Sequence, residues 1–439
     1  MRDLASRLRT IVRQDHGGSA APARELTYVP DVPGMPDITD AAAALGGTFE
    51  GTPGAGFIVI DRVWPLDQWH GRRQVGSYQL ESDAPLGLFD ARLADAGAWA
   101  RRVVFFDIET TGLSGGAGTV AFLVGCGWFD AGGFRVRQFF LAGPGGERVM
   151  LDALARVFGD CSLLVSYNGR TFDVPLMETR WAFHRTAPPT GDLAHFDMLP
   201  AARKLWGRLE RRTVASLLRS AADDDERSCS LSAIERGVLG FHRHADVPGF
   251  EIPARYFHFV RTGEAAAVRG VLEHNQYDIL SLAAVMAHAM WLAREGPMAC
   301  RDGGEQIGLG RLYERAGDVD RAVEAYEMAA RMGEQIERRH ALARLAVLLR
   351  RASKFEASAA AWQGVLDLAD RRVGLSPLER RATEALAIHH EHRARDLAKA
   401  RGYAEALRTT ASGAKRNEIL HRLSRLDRKL THAARLNWD

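Results

Sequence analysis

The stretch Val103–Gly125, VVFFDIETTGLSGGAGTVAFLVG, decides how this chain is read. An apolar run ends in two carboxylates, Asp107 and Glu109, and a glycine-rich turn leads into a second apolar run. In a β-strand, residues i and i+2 point to the same face. Asp107 and Glu109 therefore project together from the end of a strand whose other residues belong in a core. Burying two like charges without a partner is costly or moves their pKa values. A divalent cation of the Mg2+ or Mn2+ kind removes the conflict, because such ions prefer hard carboxylate oxygens. For an isolated D-x-E the simpler reading, a strand end where both acids reach water, has the better odds.

Working outward, RRVVFFDIE, TVAFLVGCGWFD and FRVRQFFLA predict three successive strands in an antiparallel meander. GERVMLDALARVFGD then predicts a helix, SLLVSYNG a buried strand and TFDVPLMETRWAFHR a second helix. Strands followed by alternating helix and strand argue for an α/β domain with a mixed sheet. Residues 1–99 form a mixed region with no assignable chemistry. In it GAGFIVIDRVW and GSYQL predict short strands, and Leu4, Leu8, Ile11 and Val12 a short amphipathic helix docked on the protein.

After residue 300 the pattern turns wholly helical. Tyr326 and Trp362 occupy matching places 36 residues apart, as do Ala316 and Ala352. That spacing is close to the ~34-residue tetratricopeptide period, and a degenerate third unit runs from Leu378 to Leu407. Such helix pairs stack and present a concave face.

With 439 residues, 46% hydrophobic and 26% charged, the chain has core material for two or three domains. A net charge of +3 neither demands nor excludes a polyanion partner, since a local basic groove can sit on a near-neutral protein. The four cysteines, Cys126, Cys161, Cys229 and Cys300, make no C-x-x-C pair, which argues against a zinc site or disulfide scaffold and for a reducing, cytoplasmic setting. The N-terminus lacks the apolar core of a secretory signal. The longest apolar runs fall short of the ~18–20 residues of a membrane span, so no membrane role is expected.

Two further acids change the odds for Asp107 and Glu109. Asp173 follows the Asn168–Gly169 turn at the start of a helix, where a capping acid is the simpler reading. Asp278 lies in VLEHNQYDILSLAAV, with His274 four residues before it on the same helix face; alone, that is an exposed pair. In FDMLPAARKLWGRLERRT, Asp197 opens a helix carrying Arg203, Lys204, Arg208, Arg211 and Arg212. This is either a solvated cationic helix or a backbone-binding face with Trp206 for base stacking. Asp197 is a helix cap or a group close to the metals. The loop Ser114–Thr119 is a plain hairpin or a place where a strand approaches the backbone.

Taken together, FFDIETTG, YNGRTFD and the His- and Asp-bearing helix resemble the DEDD exonuclease superfamily, which has a ribonuclease H-like fold. The similarity is closer to its YprB-like branch. It rests on DIETTGLSGGAGTVAFLVG, SYNGRTFDVPLMETR, FDMLPAARKLWGRLE, CSLSAIERGVLGFHRHADVPGFEIPARYF and LEHNQYDILSLAAV, and it covers roughly residues 100–292. The resemblance implies a ribonuclease H-like α/β domain over residues 100–295 with a mixed five-stranded sheet, then tetratricopeptide-like repeats over 300–439. It implies that Asp107, Glu109, Asp173 and Asp278 bind two Mg2+ or Mn2+ ions and that His274 is the general base. One branch of the superfamily has Tyr four residues before the last Asp and the other has His five before it, so His274 matches one branch in type and the other in spacing. Asn168, Arg203, Lys204 and Trp206 are the candidates for nucleic-acid contact. The expected activity is 3′→5′ exonucleolytic hydrolysis of single-stranded DNA or RNA, with the helical repeats recruiting a protein partner. The alternative is a catalytically weak nucleic-acid-binding adaptor that works through its repeats.

Overall fold

Alternation of apolar side chains, set off by glycine turns, builds one mixed sheet with helices on both faces. The computed structural model describes residues 38–81, 83–94, 102–112, 118–207, 229–369, 375–409 and 412–436. The expected helix around Leu8, the residues Arg208, Arg211 and Arg212, and most of the Ser114–Thr119 loop lie outside the described residues.

Helix α1 (Ile38–Ala44) leads into β1 (Thr48–Thr52) and β2 (Ala55–Trp64). A small hairpin, β3 (Trp69–His70) and β4 (Arg73–Gln74), and a short helix α2 (Leu86–Phe89) follow. Then come β5 (Arg102–Thr110), β6 (Ala121–Asp130), β7 (Gly133–Phe140), α3 (Glu147–Gly159), β8 (Cys161–Ser166), α4 (Asp173–Phe183), β9 (Ala194–Asp197) and α5 (Met198–Leu205). Helix α6 (Leu231–Ile234) runs into a π-helical turn, Glu235–Leu239, and α7 (Ile252–Thr262) and α8 (Ala266–Glu295) complete this part.

The sheet order is β1-β2-β7-β6-β5-β8-β9. β5 runs antiparallel to β6 and parallel to β8, so the sheet is mixed as expected. It has seven strands, not five. β5 to β9 supply five, and β2 extends the sheet by pairing Ile58–Trp64 with Phe134–Phe140 of β7. β1 then covers β2. The sequence TFEGT is short and mostly exposed, which leaves β1 without the apolar alternation of a core strand. GSYQL, expected as a strand, is not one: Val75–Tyr78 is a 3-10 turn, and the Tyr78 hydroxyl donates to the His70 carbonyl at 2.5 Å.

β5 divides its side chains between two cores. Val104, Phe106 and Ile108 pack with apolar residues of α3, α4 and α7. Phe105 packs on the other side with α5 and the later part of α8. The 30-residue helix α8 lies against β5, β6 and β7. Two glycines of β6 allow that approach. A Cβ on Gly125 would fall 2.2 Å from Ile279 Cδ1 and 2.3 Å from Asn275 Oδ1, and one on Gly127 would fall 2.4 Å from Ile279 Cγ2.

Beyond residue 300 the described residues form only helices, with α9 (Gly303–Ala316), α10 (Val319–Met332), α11 (Gln335–Arg351), α12 (Phe355–Asp367), α13 (Pro377–His392), α14 (Leu397–Arg408) and α15 (Gly413–Leu436). Each packs on the next. Side chains of Asp302, Asp318, Ser376 and Asp396 accept backbone N–H bonds at four helix starts. Tyr326 in α10 and Trp362 in α12 are both buried. α9 docks on α5 so closely that a Cβ on Gly308 would sit 2.6 Å from the Leu205 carbonyl oxygen. No described helix is long and apolar enough to cross a membrane.

Gly125→Ala should therefore lower stability by about 1–3 kcal/mol, as overpacking does in a filled core. Gly159→Ala, with open space around its Cβ, should leave stability unchanged or slightly raised. Denaturant unfolding of both variants checks the pair.

Candidate metal centre

The first acid is set by a row across the sheet. Asp107 of β5 lies opposite Gly125 of β6, and Gly125 lies opposite Gln138 of β7. Asn275 of α8 fills the space above the glycine and spans the row. Its Nδ2 donates to Asp107 Oδ2 at 2.8 Å, and its Oδ1 accepts from Gln138 Nε2 at 2.8 Å. Gln276 Nε2 donates to Gln138 Oε1 at 2.7 Å, and Arg62 donates to Gln276 Oε1 at 3.2 Å. Asn275 and Gln138 are wholly buried, so this relay fixes the Asp107 carboxylate from behind.

One residue before Asn275 and three after it on α8, the sequence places His274 and Asp278 four apart, on a common face. His274 Nε2 lies 3.3 Å from Asp278 Oδ2 and 3.9 Å from Glu109 Oε1. Its Nδ1 bonds Asp246 Oδ1 at 2.7 Å. That bond holds the ring so that Nε2 turns toward the acids. Tyr277 points elsewhere: its ring packs against Phe241 and stacks on His70.

Sequence reasoning passed over the group that holds this cluster. Arg243, only 7% exposed, donates to Asp278 Oδ1 and forks across both oxygens of Glu235, with Nε at 2.9 Å from Oε2. Its Nη1 lies 3.4 Å from Asp246 Oδ2. The signal was present in FHRHAD and IERG, but these residues lie in a π-helical turn and irregular chain, where no periodicity reports which side chains converge.

Asp173 enters from the far side, as the first residue of α4. Asn168 has φ 66° and, with Gly169, reverses the chain after β8. Asp197 holds this turn and also caps α5: Oδ1 accepts from Asn168 N at 2.8 Å and Leu199 N at 3.1 Å, and Oδ2 from Arg170 N at 3.3 Å. A Cβ on Gly169 would lie 2.8 Å from Asp173 Oδ2, so the buried carboxylate rests against bare backbone. A buried two-pronged ion pair, Arg180 with Glu147 at 2.6 Å, fixes α4 on α3.

The electrostatics of the cluster call for a cation. Burial, then Asp278 and Asp173, push Asp107 well above the usual carboxylate range. Burial, then Asp107, Asp278 and Asp173, do the same to Glu109. Burial, then Asp197 and Asp278, raise Asp173 to about 7. For His274 burial opposes the charged ring, but Asp278 and Asp246 outweigh it and raise its pKa. No ion pair among the described residues reaches Asp107 or Asp173. Glu109, His274 and Asp278 offer ligand atoms within 4.8 Å of one another. The carboxylate oxygens of Glu109 and Asp278 are hard donors that Mg2+ or Mn2+ would accept, with His274 Nε2 beside them, so the residues present fit a divalent ion. Asp107 and Asp173 do not join that tight group, although both feel its charge.

The nucleic-acid candidates differ in how far they are engaged. Asn168 and Arg203 are exposed. Lys204 Nζ donates to the Phe89 carbonyl at 2.7 Å. Trp206 is already engaged: its Nε1 donates to Glu305 Oε1 at 2.7 Å, and its ring stacks on His288.

A carboxyl whose pKa is higher folded than unfolded weakens the fold as pH rises from its unfolded toward its folded value. With Asp173 the window runs from 3.8 to about 7. In EDTA at pH 8, Asp173→Asn should therefore raise Tm by at least ~2 °C, a gain that disappears toward pH 4. Mn2+ should raise the wild-type Tm more than that of the variant. Thermal unfolding across pH, with and without Mn2+, checks both.

Comparison with known proteins agrees with this architecture. The RNase_H superfamily model matches residues 104–290. The chain is 30% identical over 342 residues, 77% of each protein, to the uncharacterized protein YprB of Bacillus subtilis (strain 168). A solved family B DNA polymerase from the archaeon Pyrobaculum calidifontis overlays 53% of this chain and 30% of its own, at TM-score 0.32 and 16% identity. The present chain thus spans about a third of that polymerase, and so low an overlap adds nothing to the assignment. The extended identity to YprB and the matched domain carry it: this chain belongs to the YprB-like family of ribonuclease H-like proteins.

Proposed function

We propose that this chain is a divalent-metal-dependent nuclease that shortens single-stranded DNA or RNA from the 3′ end. The observation that carries the reading is the convergence of Glu109, His274 and Asp278 beside Asp107 and Asp173, acids that burial and mutual repulsion leave short of positive charge. Asp107, Glu109, Asp173 and Asp278 would hold two Mg2+ or Mn2+ ions, in keeping with DEDD-type enzymes. Such ions supply Lewis acidity at the attacking water and at the departing 3′ oxygen. Asn275 keeps the Asp107 carboxylate in one orientation for that task. His274 Nε2, with Nδ1 anchored on Asp246, is aimed to take a proton from a water lying between Glu109 and Asp278. The helices from α9 onward are read as tetratricopeptide-like repeats that recruit a protein partner, and the thiols as belonging to a cytoplasmic protein.

One observation favours the second reading, a catalytically weak adaptor. Arg243 already pairs with Asp278 and must share it with any ion that arrives.

Digestion of 3′-labelled and 5′-labelled single strands, DNA and RNA, with Mg2+ or Mn2+ decides between them. The nuclease reading expects mononucleotides released from 3′ ends. It expects no release by Asp107→Asn and a ~100-fold slower rate for His274→Ala. Strands that stay uncut in Mn2+ would favour the adaptor.

A further inference from the structure

Beyond the carboxylate cluster, a cavity of about 320 Å3 opens where three parts of the chain meet: the α2 region, the β9–α5 junction and the C-terminal end of α9. Four cations line it: Arg92, Arg170, Lys204 and Arg315. Two acids also line it, and both are already engaged. Asp90 takes Arg92 at 2.6 Å and Arg170 at 3.3 Å. Asp197 takes three backbone N–H groups. Neither Lys204 nor Arg315 has an ion-pair partner among the described residues. Burial, and then the charge of Arg315, lower the Lys204 pKa against the smaller opposing pull of Asp90, so two cations repel each other at this cavity.

Phe89 and Phe196, whose rings meet edge to face, line the cavity together with Leu88 and Pro200 and give it an apolar side. Cations next to an apolar side match a ligand that is anionic at one end and flat and apolar at the other. The volume lies at the small end of ordinary ligand sites, roughly 300–1,000 Å3. Asp197 lines the cavity and also holds the turn leading to Asp173.

We propose that this cavity binds a nucleotide, with Lys204 and Arg315 on its phosphate and Phe89 and Phe196 under its nucleoside. The ligand class rests on the nuclease reading; the existence of the anion site does not. The ligand is either a free nucleoside monophosphate or the 5′-phosphorylated unit of a strand. The site needs α9, so it would give the helical region a direct part in binding.

The test is titration of the full-length chain with AMP in EDTA, where the carboxylate cluster has no ion to contribute. Arg315 is exposed on α9, so Arg315→Glu should fold normally, and Lys204→Met is the second variant. Expected are AMP binding by wild type, affinity reduced about tenfold or more in either variant, and no change in Asp107→Asn. Inorganic phosphate should bind more weakly than AMP. Displacement of AMP by a 5′-phosphorylated oligothymidylate would identify a strand as the source, and lack of displacement would identify free nucleotide. Absence of AMP binding, undiminished binding by Arg315→Glu, or phosphate binding as tight as AMP would overturn the proposal. A chain that binds AMP yet cuts nothing would refute the nuclease reading alone; one that cuts 3′ ends but ignores AMP would refute this site alone.

Discussion

Helix α8 rests directly on the sheet because Gly125 and Gly127 present no side chains to it, and the rest of the site depends on that approach. The missing Cβ at Gly125 is the space in which Asn275 sits. From there it ties Asp107 on β5 to Gln138 on β7. The same seating brings His274 and Asp278, one residue before and three after Asn275, alongside Glu109. A larger residue in β6 would lift the helix and separate the carboxylates it gathers.

The gathered acids are electrostatically unfinished. Arg243 partly answers Asp278, and Glu235 behind it keeps that guanidinium in place. Asp107 and Asp173 have no such partner among the described residues. The cluster therefore carries a standing cost in the folded protein, of the kind that functional sites store and a bound cation relieves. The relay through Gln138, Gln276 and Arg62 also connects the site to β2, a strand from the first hundred residues. That part of the chain, which had no apparent chemistry of its own, helps hold the first acid.

How far the sequence could be read follows from the range of each signal. The face shared by Asp107 and Glu109 is a two-residue property of a strand, and that of His274 and Asp278 a four-residue property of a helix; both were legible. β5 to β8 were legible because apolar runs and glycine turns bound them. β1 was not, since TFEGT carries little apolar alternation, and β9 has only four residues, AHFD. Asn275 read as one more polar helix residue; its role appears only when β6 and β7 lie beneath it. Arg243 and Asp246 sit in irregular chain, where spacing does not encode direction. Trp206 read as free for a ligand, but the docking of α9 takes up its one N–H, and Lys204 gives one of its three N–H donors to the α2 segment.

Manganese affinity of the Asn275→Leu variant tests the central claim most directly, followed by electron paramagnetic resonance on folded protein. If Asn275 orients Asp107 for a divalent ion, wild type binds Mn2+ and the variant binds it at least ~10-fold more weakly, as loss of such a support typically costs. A folded variant with wild-type Mn2+ affinity, or a wild type that binds none, would contradict the account.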